Sequence, residues 1–307
     1  MGVGAAIAAC SGPSQTAPSK PASTATKAVQ HTHGETQVPI NPTRIVVLDF
    51  FTLEALLALG VEPIAAPGMM FNNFLHLPPT SSEMADIGNP REPSLEQIAA
   101  LQPDLILSSK NFTTADTYAL LSQVAPTVVF DFEDGPDWQT LPRLCGEALG
   151  KEAEVKQLEA DYAAKLKAFQ DQLPQAASQI QVSVASFFAD NGIYAFGKET
   201  FTGAILADAG VSRPPQQAEG EGARVSIERL SDIDGDVLFV VSLQSETEIA
   251  DDMQAALDQI KSHPLWAKLK VVEAQRVYEV GPHWFGMGYI AANLMLDDLL
   301  THMGNPA

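Results

Sequence analysis

Gly150–Leu173, GKEAEVKQLEADYAAKLKAFQDQL, is the stretch from which the rest of the chain can be read. Its apolar residues Val155, Leu158, Tyr162, Leu166, Phe169 and Leu173 recur three or four apart, the period of a helix with one buried stripe. Glu152 and Lys156, and Asp161 and Lys165, stand acid before base at i,i+4 on the other face, the favourable order for an exposed surface. No glycine or proline interrupts the run between Lys151 and Leu173. At 1.5 Å per residue such a helix spans roughly 35 Å, about the width of a small domain.

The segments on its two sides read as two copies of one plan. Pro93-Ser94-Leu95-Glu96-Gln97-Ile98, with Pro103-Asp104-Leu105-Ile106-Leu107 behind it, precedes the helix. Val225-Ser226-Ile227-Glu228-Arg229-Leu230, with Gly235-Asp236-Val237-Leu238-Phe239, follows it and aligns without a gap. Each copy predicts a short helix opened by a serine N-cap, then a turn, then a buried strand. Leu53–Val61 (LEALLALGV) pairs in the same way with Gly203–Val211 (GAILADAGV), each a helix closed by glycine at C′. The period is far too long for a solenoid, so the plan is two similar α/β lobes; chance likeness of short helix–strand units is the alternative.

The 307 residues suffice for two lobes of ordinary size. A net charge of −20 argues against nucleic acid and anionic lipid surfaces, which need basic patches. An anionic ligand would need a local cluster of Lys or Arg. The two cysteines, Cys10 and Cys145, lie in different contexts and predict no disulfide. Cys145, within the helical pattern LPRLCGEALG, reads as an inert buried thiol.

Met1–Ala9 is small and apolar and runs into Cys10; it is too short to span a bilayer and reads as the tail of a secretory signal. No basic segment precedes it, and an alanine-rich unstructured start is the alternative. Residues 11–37, rich in Ser, Thr, Ala and Pro, predict a flexible tether in which His31 and His33 are incidental. The N-terminal lobe is expected over 38–149, the connecting helix over 150–173 and the C-terminal lobe over 174–307. Within the lobes, strands at 45–48, 64–66, 105–107, 127–130, 181–187, 193–196, 237–241 and 277–280 alternate with helices, which implies mainly parallel sheets. Ligands of such sheets sit beyond the carboxyl ends of the strands, so the loops around Phe50, Arg91, Lys110, Trp138, Arg224 and Trp284 are the ones to watch. The glycine loops of nucleotide binding, the GxSxG elbow, HExxH and CxxC are all absent.

Taken together, the repeat, the single connecting helix and the Cys10 start resemble the iron(III)-siderophore substrate-binding lipoproteins of bacterial ABC importers. The resemblance covers residues 38–303 and is carried by Leu53–Val61, Gly88–Glu96 through Lys110, Gly197–Val211, Val225–Val241 and His263-Pro264-Leu265-Trp266 through Tyr278. It implies two Rossmann-like lobes joined by one long rigid helix and a monomer that captures a ferric chelate between them. It further implies delivery to a permease dimer, lipidation of Cys10 as a membrane anchor on the periplasmic side, and no catalysis. By the same resemblance Glu96 and Glu228 are permease-docking acids, one per lobe; a glutamate stabilised by a helix N-terminus is the plainer reading of each.

A ferric siderophore is large, partly apolar and often anionic, so its site needs aromatic surface and a few cationic donors. The candidates are Phe50, Arg91, Lys110, Trp138, Tyr194, Arg224, His283 and Trp284, with Trp284 in Gly281-Pro282-His283-Trp284-Phe285-Gly286 the foremost aromatic. Trp266 is expected in the core. A highly anionic chelate is disfavoured unless Arg91, Lys110 and Arg224 converge. The alternatives are a haem or corrinoid ligand with a His or Tyr axial group, a Zn²⁺ or Mn²⁺ site built from His76, His263, His283 and His302, and a two-domain α/β enzyme.

Overall fold

The computed structural model describes residues 1–2, 25–69, 76–78, 84–133, 135–172, 179–189 and 192–303. Cys10, the expected signal beyond Gly2 and the first part of the expected tether lie outside these residues. In chain order, a hairpin of β1 (Thr26–His31) and β2 (Gly34–Pro39) precedes β3 (Ile45–Val47) and α1 (Phe50–Ala58). There follow β4 (Ala65–Ala66), β5 (Ala85–Asp86), the short pair β6 (Gly88–Asn89) and β7 (Glu92–Pro93), and α2 (Leu95–Ala100). Then come β8 (Leu105–Ser109), α3 (Ala115–Leu121), β9 (Thr127–Phe130) and α4 (Thr140–Leu149). The order β5-β4-β3-β8-β9 makes one five-stranded, all-parallel sheet.

The connecting helix α5 (Glu152–Gln172) buries Val155, Tyr162 and Phe169, the stripe read from the sequence. Leu173 lies outside the described residues. Lys165, paired with Asp161 in the sequence reading, reaches across to Asp297, 2.7 Å away.

Beyond it run β10 (Val182–Phe188), β11 (Gly192–Phe196), α6 (Phe201–Asp208) and β12 (Gly222–Val225). The lobe closes with β13 (Val237–Val241), α7 (Glu248–Lys261), α8 (Lys270–Glu273), β14 (Val277–Val280) and α9 (Tyr289–Met303). This sheet, β12-β11-β10-β13-β14, is parallel over β10, β13 and β14 and antiparallel at β11 and β12.

The internal repeat is real in three dimensions. Gly60 and Gly210 both take positive φ (70° and 75°) just past α1 and α6, which only glycine does without strain. β8 and β13, the strands of the second repeated pair, occupy equivalent interior places in their sheets. The helices before them differ. Ser94 caps α2 through the Gln97 amide, whereas Ser226 opens a 3₁₀ segment, Ile227–Ile233, that kinks at Arg229.

One expectation is corrected. Residues 26–37 were read as part of the tether, yet they lie in the β1–β2 hairpin, whose Val29 and Val38 are buried against the first lobe. The Thr32 amide bonds the Val129 carbonyl of β9 at 3.0 Å, and Lys27 bonds the Glu147 carbonyl. With one inward valine per strand, the segment shows no apolar period, and only its tertiary contacts order it. Among the described residues no helix is long and apolar enough to cross a membrane.

Candidate functional site: an aromatic cleft between the lobes

A cleft of ≈ 300 Å³ lies between the start of α1 and the segments that follow β11 and β14. Phe51, at the start of α1, supplies its first-lobe wall; Tyr194, Phe196, Glu199, Glu221 and Phe285 supply much of the other. Phe51 is set by Asp49, the N-cap of α1, whose buried carboxylate accepts from the Thr52 amide and hydroxyl and from the Ser109 amide. Burial pushes the Asp49 carboxyl up, and those hydrogen bonds offset part of the cost.

Three candidates gather on the first-lobe side. Phe50 is half-buried, packed on Phe51 and edge-on to Phe112. Arg91 is exposed, with its guanidinium 5.3 Å above the Phe112 ring and Nη1 donating to the Asn111 carbonyl at 3.3 Å. Since Phe112 also packs on Phe51, Arg91 joins the cleft wall through a stack of rings. Lys110 follows β8 directly but is engaged by Asp131, at 2.8 Å, and by Glu133; their hydrogen bonds raise its pKa.

On the second lobe, Tyr194 is half-buried, edge-on to Phe196, and its hydroxyl donates to the Glu221 carbonyl at 3.0 Å. Burial and the nearby Glu221 push the phenol up. Arg224 is exposed on β12, directly across the ladder from Tyr194.

The two tryptophans are corrections. Trp138 is 1 % exposed and sits edge-on among Tyr162, Phe201 and Tyr289, where both lobes meet the connecting helix. Trp284 borders the cleft but its ring is fully buried, stacked on Phe239 at 4.6 Å, with Nε1 donating to Asp298 at 2.8 Å. Both are core residues: a large ring gains more from enclosure than from a wet loop, and at Trp284 the N–H is satisfied as well. Trp266 is in the core, as expected.

Glu54 was missed. It is 1 % exposed on α1, and its carboxylate crosses to the other lobe to accept from the Ala291 amide at 2.8 Å and the Met287 amide at 3.2 Å. A carboxylate from the first lobe thus caps the first turn of α9, where free N–H groups and the helix dipole favour negative charge. A Cβ at Gly288 would lie 2.9 Å from Glu54 Oε1, so glycine there makes the approach possible. An acid inside the apolar run LEALLALGV was the available signal.

His283 Nε2 lies 2.7 Å from Asp298, and the His76 ring is 6.1 Å from the His283 ring. Among the described residues no three of His, Cys, Asp and Glu are placed to hold a metal ion. Burial acts to raise the Asp298 pKa, but the hydrogen bonds from His283 and Trp284 outweigh it and hold the carboxyl below its ordinary value. Its native pKa being depressed, the stability it contributes is full above the ordinary carboxylate range and is lost as pH falls through the native pKa. Denaturant midpoints measured from about pH 6 down to about pH 3 should therefore fall more steeply for the wild type than for Asp298→Asn. Parallel curves would refute the assignment.

Comparison with known proteins adds a family. A sequence profile described as "Periplasmic binding protein" matches residues 45–283. A probable siderophore-binding lipoprotein of Bacillus subtilis, YfiY, is 31 % identical over 96 % of this chain and 93 % of its own. The Fe(3+) dicitrate-binding periplasmic protein FecB of Escherichia coli is 29 % identical, covering 88 % of each chain. The crystal structure of Staphylococcus aureus SirA complexed with staphyloferrin B superposes with a TM-score of 0.71 at 26 % identity, over 90 % of this chain and 98 % of that one.

Proposed function

The chain belongs to the periplasmic binding protein family, and on that premise we propose that it captures a ferric siderophore between its lobes and delivers it to the permease of an ABC importer. It is an extracytoplasmic binding protein and not an enzyme, so its ligand leaves unchanged. The observation that carries the proposal is the cleft itself, which draws aromatic surface from Phe51 on one side and from Tyr194, Phe196 and Phe285 on the other. Relatives named for siderophores and ferric dicitrate support the ligand class.

In this reading residues 38–149 and 174–307 are the ligand-holding lobes and 150–173 the rigid connection. Phe50 and Tyr194 give apolar contact, and Arg91, Lys110, Arg224 and His283 give polar contact. The iron stays with its chelator, and no protein ligand to the metal is needed. Glu96 and Glu228 are exposed at matching places in the two lobes, which suits docking on basic permease residues. The Glu228 carboxyl is held below its ordinary value, first by the Ser226 hydroxyl, and so is charged when it docks. Cys10 would carry the lipid anchor.

The test is a fluorescence titration of the protein with a ferric hydroxamate, a ferric catecholate, ferric citrate, haemin, cobalamin and Zn²⁺. Saturable quenching by a ferric chelate is expected, because buried Trp284 lies directly under the cleft. Arg91→Ala should weaken that binding about tenfold through loss of a charge-assisted donor. Being exposed, it should leave thermal stability within about 0.5 kcal/mol. A response to haemin, cobalamin or Zn²⁺ alone would overturn the siderophore reading.

A further inference from the structure

The cleft has an unexpected charge for a trap of anionic chelates. The described residues that line it include two carboxylates, Glu199 and Glu221, both exposed, and no Lys or Arg. Lys198, adjacent in sequence, is outside this lining. The interior stretches that are not described bring no cation of their own: residues 70–75, 79–83, 134, 173–178 and 190–191 contain Glu83, Asp134 and Asp190 but no Lys or Arg.

The cations nearby do not reverse this balance. Lys110 is bracketed by two carboxylates, Asp131 and Glu133, so that group of three carries a net negative charge. Arg91 stands on the first-lobe side, one ring removed from Phe51. Arg224 lies on the second-lobe side, and Glu199 and Glu221 on the same lobe oppose it.

From this we infer, resting on the ferric-chelate reading above, that the ligand is a hydroxamate-bearing ferric chelate of net charge zero or close to it. Three hydroxamates balance the charge of Fe³⁺, so such a complex needs no cationic cage. Its hydrocarbon arms match Tyr194, Phe196 and Phe285, and its uncharged metal centre needs no cation in the lining. A tris-catecholate complex is trianionic and would be repelled by Glu199 and Glu221. A pendant ammonium on the chelate would be drawn to the same two acids.

The experiment titrates the wild type and the double variant Glu199→Gln/Glu221→Gln with ferrichrome, ferrioxamine B, ferric enterobactin and ferric dicitrate, at low and high salt. The neutral or cationic hydroxamates should bind at least about a hundredfold more tightly than the trianionic catecholate. The double variant should shift the catecholate-to-ferrichrome affinity ratio about tenfold towards the catecholate, most at low salt. Tighter binding of the catecholate or dicitrate by the wild type would overturn this inference and leave the ferric-chelate reading standing. So would equal shifts for every ligand in the double variant. Silence from all four chelates would overturn the ferric-chelate reading and the inference with it.

Discussion

Trp284→Ala should cost about 4 kcal/mol of stability and lower the melting temperature by roughly 8–16 °C, an effect far beyond lost ligand contact. The ring is fully buried, stacks on Phe239 and donates to Asp298, so truncation leaves a cavity and takes one donor from a half-buried carboxylate. Trp284→Phe keeps most of the volume and the stacking and loses only the hydrogen bond, so it should cost about 1–2 kcal/mol. Calorimetry of both variants, followed by titration well below their transitions, separates packing from recognition. Trp284→Phe should bind its chelate within about threefold of wild type, since its ring lies under the cleft floor and not in it. An unchanged melting temperature with abolished binding would return Trp284 to the ligand surface.

Glu54→Ala should cost about 3 kcal/mol and lower the melting temperature by roughly 6–12 °C. Two amides, on Met287 and Ala291, lose a buried charged acceptor, and water cannot easily replace it beside Gly286 and Gly288. Glu54→Gln restores one acceptor but presents an NH₂ group to the second amide, so about half the loss should remain. The bond ties α1 to α9, so amide hydrogen exchange at the start of α9 should quicken in both variants, in the order Ala, Gln, wild type. If exchange there stayed slow in Glu54→Ala, the carboxylate would not be what caps that helix.

The two lobes and their connection were legible because they rest on periodicity and repetition. The stripe Val155, Tyr162, Phe169 is buried as read, and LEALLALGV and GAILADAGV end in the same left-handed glycine. The site was less legible, since a loop position does not say which way its side chain turns. Trp284, flanked by Pro282 and Gly286, fits a ligand surface or a core equally well in sequence; the carboxylate that decides it, Asp298, arrives fourteen residues later on another element. Glu54 accepts from two backbone amides more than two hundred residues away, which no side-chain pattern marks, and faces His76 Nε2 at 3.9 Å. Tyr194 lines the cleft, and Arg91 stands behind its wall over the Phe112 ring.

The β1–β2 hairpin has a further consequence, for the protein's behaviour towards other copies of itself. β9 is the last strand of the first sheet, and its TVVF side chains are all buried. An apolar strand with an open row of amides and carbonyls is a template for pairing with a neighbouring chain. The hairpin lies over that margin, takes up the Val129 carbonyl and sets Val29 and Val38 into the core. Trimming the protein at residue 38, where composition puts the start of the first lobe, would strip the margin bare. The shortened chain would then be prone to self-association, while a cut before Thr26 would leave the guard in place.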